Sequence, residues 1–298
     1  ASNSGTLTCL TSTVSLTGGP GTGVTYQWSG PGFVGGTTSQ NAIANAAGAY
    51  SLKVTDAING CTNTAVTSVI QNTTTPSPTA SNSGALTCTT PTVGLTGGPG
   101  TGVTYQWSGP SFSGGTTAQN AIANAAGSFT LKVTSSANGC TNTAVTSVSQ
   151  NTTTPVATAS TAGTLTCAAP TVTLNSGAAA GATYLWSGPS FTSSIQNPNT
   201  STAGNYTVTV TNSTSGCSST ATTIVTQNVT PPSATAGTGG TLTCASSTVG
   251  LTGTGGGTYI WSGPGIASGG TTANPVITAP GCYNLTVTNI SNGCSATA

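Results

Sequence analysis

The sequence has 298 residues, of which 35% are hydrophobic and 1% charged; Lys53, Lys132 and Asp56 are the three charged side chains, and His and Met are absent. One carboxylate cannot form an acid–base pair, and without His no imidazole-assisted nucleophile can be assembled. Two lysines cannot neutralise a run of phosphates, so nucleic acid is not an expected partner. The composition therefore argues against an enzyme and implies no catalytic residue, no cofactor and no metal site. The one acidic stretch, Thr55-Asp56-Ala57-Ile58-Asn59-Gly60-Cys61, lacks the several carboxylates of a calcium cage.

In chain order, Thr6–Cys9 and Thr13–Thr17 read as two short strands, and Gly18–Gly21 as a turn. Val24–Trp28 reads as a central strand stopped by Ser29-Gly30-Pro31, and the Gly-rich stretch Phe33–Ser39 as irregular or an edge strand. Asn41–Asn45 is a further short strand and Gly48–Thr55 a strong one, with alternation visible in Tyr50-Ser51-Leu52-Lys53-Val54. Period-two patterning in Thr- and Val-rich runs broken by Gly and Pro is the signature of half-buried strands. Asn59-Gly60 predicts a tight type I′ hairpin turn, after which Cys61 opens a last strand running to Gln71. About seven short strands with such turn signals indicate a β-sandwich.

This unit occurs four times. Trp28, Trp107, Trp186 and Trp261 are spaced 79, 79 and 75 residues apart, and Cys9, Cys88, Cys167 and Cys244 follow steps of 79, 79 and 77. Cys61, Cys140, Cys217 and Cys294 follow steps of 79, 77 and 77. A fixed period this long predicts an array of small modules, each with its own core. The expected organisation is all-β, four tandem sandwiches at residues 1–74, 75–153, 154–230 and 231–298, the last with a shortened final strand. Asn72–Pro78, Asn151–Pro155 and Asn228–Pro232 read as Pro-stiffened linkers, so an extended array is expected. Ala1–Gly5 matches Ala80–Gly84, and Ala298 matches Ala221. The expectation is a window from a longer array, the alternative being a neighbouring subunit that completes the last sheet.

The ordered motifs GxLTC, YxWSGPxF, G-x-Y-x-[LV]-x-VT, NGCTxTA and QNTT-P resemble the tandem Ig-like or PKD-like repeats of Bacteroidetes cell-surface proteins. The resemblance covers essentially the whole chain, and it implies secreted adhesins, gliding-associated proteins or surface fibres, with no catalytic site.

Nine cysteines without a CxxC pair or a His point to disulfides in an oxidising compartment. The spacing favours one bond per module, Cys9–Cys61, Cys88–Cys140, Cys167–Cys217 and Cys244–Cys294; pairing across the linker to the next module is the rival. Cys282 is the odd thiol, either a buried free Cys or one bonded to another chain or module. The four tryptophans are expected in the cores, packed against the disulfides, rather than as sugar platforms. Tyr26, Tyr105, Tyr184 and Tyr259 share their face and are expected at the core margin. Asn72, Asn151 and Asn228 are sequons at one repeat position, and Thr73, Thr74, Thr75, Thr152, Thr153 and Thr154 are candidates for O-linked sugars. The expected function is structural: an extracellular, glycosylated filament or adhesin stalk of a bacterial surface, self-associating by repetition, with no membrane span in this segment. The alternative is a set of adhesive modules that bind glycans or another cell.

Overall fold

The computed structural model describes residues 1–298, and every regular element in it is a strand. The chain forms two compact units, Ala1–Thr152 and Thr153–Ala298. Each unit holds two separate hydrophobic cores: one around Trp28 and one around Trp107 in the first, one around Trp186 and one around Trp261 in the second.

The first module shows the plan. Its strands are β1 (Ser2–Asn3), β2 (Leu7–Thr8), β3 (Val14–Thr17), β4 (Val24–Ser29), β5 (Phe33–Gly35), β6 (Asn41–Ala44), β7 (Gly48–Asp56), β8 (Thr62–Val69) and β9 (Gln71–Asn72). One sheet has the order β1-β3-β6-β5 and the other β4-β7-β8, while β2 pairs with β9 in parallel. These are the two sheets of a constant-type immunoglobulin sandwich. The fold is therefore Ig-like by strand order.

Alternation decides which side chains face inward. Along β3, Val14 and Leu16 are buried while Ser15 and Thr17 are exposed. Val14, Leu16, Ala42 and Ala44 from one sheet meet Trp28, Tyr50, Leu52 and Val69 from the other. Trp28 is buried, and its indole Nε1–H donates to the Ser39 carbonyl at 3.1 Å. The equivalent bonds of Trp107, Trp186 and Trp261 end on Gln119, Gln196 and Thr272. No cysteine belongs to any of the four core clusters, so aliphatic side chains take the place expected of a disulfide beside the tryptophan. The Tyr50 hydroxyl reaches back to the Ala46 and Gly32 carbonyls, both at 2.8 Å, and pins the corner before β7. Tyr206 makes the same corner with Thr202, and Phe129 occupies the position in the second module. Tyr26, Tyr105, Tyr184 and Tyr259 are half-buried at the core edge.

Three local expectations need correction. The Asn-Gly hairpin is not a two-residue type I′ turn, because Gly60 has φ +73° while Asn59 is not among the positive-φ residues. Asp56 and Cys61 close a four-residue loop instead, with the Gly60 N–H bonded to the Asp56 carbonyl at 3.0 Å. The Asp56 carboxylate accepts from the Ile58 and Asn59 amides at 2.8 and 3.1 Å, which favours a type I-like turn over the mirror-image one.

The final strand breaks at Ile70 and resumes as β9, where Gln71 and Asn72 pair with Leu7 and Thr8. Asn72, read as the first residue of the linker, is thus strand-paired with Thr8. Beyond it, Thr79–Asn82 is already a strand of the second module, paired with Leu95–Gly98. Between the two, the Asn72–Pro76 segment is hydrogen-bonded to the second module, so it is not a free spacer.

Candidate functional site: the joint between consecutive modules

Within each compact unit the second module closes on the first through one recurring set of residues. In the first unit the segment is laid down by β9, which delivers Asn72 and Thr74 to the hairpin Ala137–Cys140 of the second module. The Asn138 amide Nδ2 donates to Asn72 Oδ1 at 2.8 Å and to the Thr74 carbonyl at 2.9 Å. Its own Oδ1 accepts from the Cys140 N–H at 3.0 Å, so a side chain only 4% exposed has its polar groups satisfied. Asn142 Nδ2 adds a bond to the Pro76 carbonyl at 3.1 Å.

The second unit repeats this. Asn292 Nδ2 donates to Asn228 Oδ1 at 3.0 Å and to the Thr230 carbonyl at 2.9 Å, and Asn292 Oδ1 accepts from Cys294 N–H at 2.9 Å.

Each joint also carries a covalent bond. Cys9 is bonded to Cys140 and Cys167 to Cys294, with sequence separations of 131 and 127 and Cα–Cα distances of 4.9 Å. Cys88 and Cys217 are disulfide-bonded as well. The bonds expected inside modules, Cys9–Cys61, Cys88–Cys140, Cys167–Cys217 and Cys244–Cys294, are therefore not formed. Cys61 and Cys244, both expected in disulfides, carry free thiols, as does Cys282, and all three are exposed.

The reason lies in the fold. The first cysteine follows β2 and the second precedes β8, so at a joint the loop after one module's β2 meets the hairpin that opens the next module's last strand. A glycine makes this contact close enough. Gly139 has φ +70°, and a Cβ there would stand 2.1 Å from Leu10 Cγ. Gly293 has φ +69° and faces Ala168 in the same way, at 2.6 Å from its Cβ.

In the sequence Asn138 and Asn292 stand at the repeat position of the turn residue Asn59, and Asn72 and Asn228 open sequons. The signal available was their joint recurrence: an Asn two residues before the second cysteine and an Asn at the module's end. Thr73, Thr74, Thr75, Thr152, Thr153 and Thr154 are exposed, while Asn151 is half-buried in the strand Gln150–Asn151.

No protein-family model matches the sequence, and no curated protein matches it. Among solved structures, Sidekick-1 immunoglobulin domains 1–5 align at 13% identity over 96% of this chain and 76% of that chain, with a TM-score of 0.29. Extracellular domains 3–5 of Drosophila OTK align at 13% identity over 73% and 91%, with a TM-score of 0.27. The three N-terminal domains of the bacteriophage RB49 outer capsid protein Hoc align at 14% over 73% and 94%, also at 0.27. Likeness of this degree speaks to neither the arrangement nor the role of the modules; the Ig-like assignment stands on strand order.

Proposed function

We propose that the chain is a structural component of a secreted bacterial surface fibre or stalk. The observation that carries this reading is the joint. The same Asn clamp and disulfide join Asn72 and Cys9 to Asn138 and Cys140, then Asn228 and Cys167 to Asn292 and Cys294. Conserving the chemistry of a joint from copy to copy suits a protein whose task is to hold modules in line.

The near-absence of charge supports the same role, since a surface with little like-charge repulsion resists self-association weakly. A glycan-binding face in every copy would need exposed aromatics. The tryptophans are buried, and the large exposed apolar residues are aliphatic, such as Leu10, Ile58, Leu185 and Ile260.

The disulfides support a working compartment outside the cytoplasm, where thiols are not kept reduced. Hydration in place of charge falls to hydroxyls and attached sugars, with the exposed threonines 73–75 and 152–154 as the acceptors we favour. Asn72 and Asn228 use their carbonyl oxygens in the joints.

Electron microscopy of material isolated from its source tests the reading: periodic fibres are expected, and dispersed monomers would overturn it. Intact mass spectrometry of the same material tests glycosylation, since a mass equal to the bare polypeptide would exclude it.

A further inference from the structure

We propose that the cross-joint disulfides Cys9–Cys140 and Cys167–Cys294 are tension struts: a pull along the chain passes through the two sulfur bridges and leaves the module cores unloaded. The inference rests on the fibre reading and gives the joint a mechanical task beyond alignment.

Tension in a polypeptide follows the shortest covalent route between the points that are pulled. A pull that enters before Cys9 and leaves after Cys140 crosses from one sulfur to the other, because the backbone between them is 131 residues long and stays slack. The same holds for Cys167 and Cys294, 127 residues apart in sequence, with Cα atoms 4.9 Å apart. Most of the 298 residues therefore lie inside two closed loops that tension cannot open. Of the buried residues that form the four cores, only Leu7, Val148 and Leu165 lie outside the loops. Cys88 lies in the first loop and Cys217 in the second, so their bonds add restraint without lengthening the route.

Bonds inside each module would shield the modules but not the joint. Cys9–Cys61 and Cys88–Cys140 would leave the stretch 62–87 under tension, including the segment Asn72–Pro76. Only hydrogen bonds seat that segment on the second module, from Asn138 Nδ2 to Asn72 and Thr74 and from Asn142 Nδ2 to Pro76. Such bonds give way long before a covalent one. Pairing across the joint puts the segment and its asparagines inside the loop. Asn228, Thr230 and Asn292 are enclosed in the same way between Cys167 and Cys294. The clamp positions the cysteines, and the disulfide carries the pull.

What remains in the line of tension between the loops is the stretch 141–166. Its strands Thr141–Val148, Gln150–Asn151, Ser160–Thr161 and Leu165–Thr166 can peel from their sheets and lengthen the chain slightly. Forced unfolding is governed by the unfolding rate of whatever feels the force. A core inside a closed loop feels none, so a pulled fibre of such chains keeps its modules folded.

The test stretches the full chain in optical tweezers by handles fused outside Cys9 and Cys294, its free thiols alkylated. The oxidised chain should show no single lengthening step above about 100 Å, the reach of the stretch 141–166 at roughly 3.5 Å per residue. Reduction by a phosphine should add about 900 Å to the fully stretched length, the reach of loops of 131 and 127 residues. Bonds within the modules would add only about 700 Å, and that value would overturn the proposal, as would longer steps in the oxidised chain. Cys9→Ser with Cys140→Ser should stretch several hundred ångström further than the parent, whether or not the first unit stays folded, and an unchanged length would also overturn it. Asn138→Ala, which removes the clamp and keeps the bond, should leave the stretched length as it is. Imaging separates this from the fibre reading: periodic fibres from chains whose modules open under load would leave the fibre standing and remove the strut. Inextensible chains that never order into fibres would do the reverse.

Discussion

Asn138 donates to the side-chain oxygen of Asn72, which lies 66 residues earlier in the chain and in another module, at 2.8 Å. That bond, doubled by the one to the Thr74 carbonyl, turns a hairpin tip into a seat for the preceding module. Asn59, at the same repeat position in the first module, is exposed and keeps only the local bond to the Cys61 N–H.

Replacing Asn138 by Ala should therefore cost more than replacing Asn59. Loss of Asn138 strips Asn72 and Thr74 of their donor and leaves a buried hole, a destabilisation of about 1–3 kcal/mol. Asn59→Ala should cost under about 1 kcal/mol, the size of one exposed turn bond. Denaturant unfolding of the two variants checks the difference, and equal effects would mean that the clamp adds nothing.

Peptide mapping under non-reducing conditions should find Cys9 linked to Cys140 and Cys167 linked to Cys294, and no Cys9–Cys61 peptide. A bond closing a loop of 131 residues constrains the unfolded chain by about 5 kcal/mol in the loop-entropy treatment. Cys9→Ser with Cys140→Ser should lower the unfolding midpoint of the first unit accordingly, and calorimetry would register it.

Gly139→Ala should weaken the joint far more than Gly60→Ala. Both positions have a left-handed φ, near +70°, but only at Gly139 does a Cβ run into Leu10. The conformational cost alone is about 1 kcal/mol. The added clash should displace the Cys9 loop, so slower or incomplete Cys9–Cys140 formation on oxidative refolding is expected at Gly139 and not at Gly60.

Tyr206→Phe removes a hydroxyl bonded to Thr202 O at 2.8 Å and Thr200 Oγ1 at 2.6 Å. A loss of about 1–2 kcal/mol is expected, since the Thr202 carbonyl loses its Tyr206 donor while the ring stays packed. Phe129, which fills the same corner in the second module with its ring fully buried, shows that the ring alone sustains the fold. Thermal unfolding of Tyr206→Phe beside Phe129→Ala separates the two contributions, and the ring deletion should cost several times more.

The pH dependence should be nearly flat between pH 4 and 8. Asp56 is the sole side-chain carboxylate, and the amides of Ile58 and then Asn59 hold its pKa below the ordinary 3.8. A lowered folded pKa means that its stabilisation is present above the unfolded value and is lost as pH falls through the folded one. The loss therefore begins below about pH 4. Asp56→Asn keeps an acceptor, as Asn212 does for Thr214 and Ser215, and should erase even that acid-limb dependence. A sharp unfolding transition between pH 4 and 8 in the unsubstituted chain would contradict this account.

Much of the molecule was legible locally. Alternation in Val14-Ser15-Leu16-Thr17 specifies a strand and its inward face, because side-chain direction in a strand depends on nothing but parity. The period of the tryptophans specifies the repeat, and the aliphatic residues around each one specify a core. The partners of the cysteines were not legible. Cys9 is nearer in sequence to Cys61 than to Cys140, and only the seating of one module on the next brings Cys140 to it. The strand Ser2–Asn3 and the pairing of Asn72 with Thr8 are not legible for the same reason, since these residues are polar and their pairing depends on hydrogen bonds to distant segments. Composition and period are properties of the chain taken a few residues at a time, and they decided the class, the copies and the cores. Which thiols are paired in Cys9–Cys140 and Cys167–Cys294 depends on contacts between residues more than a hundred positions apart, and those the tertiary structure alone decided.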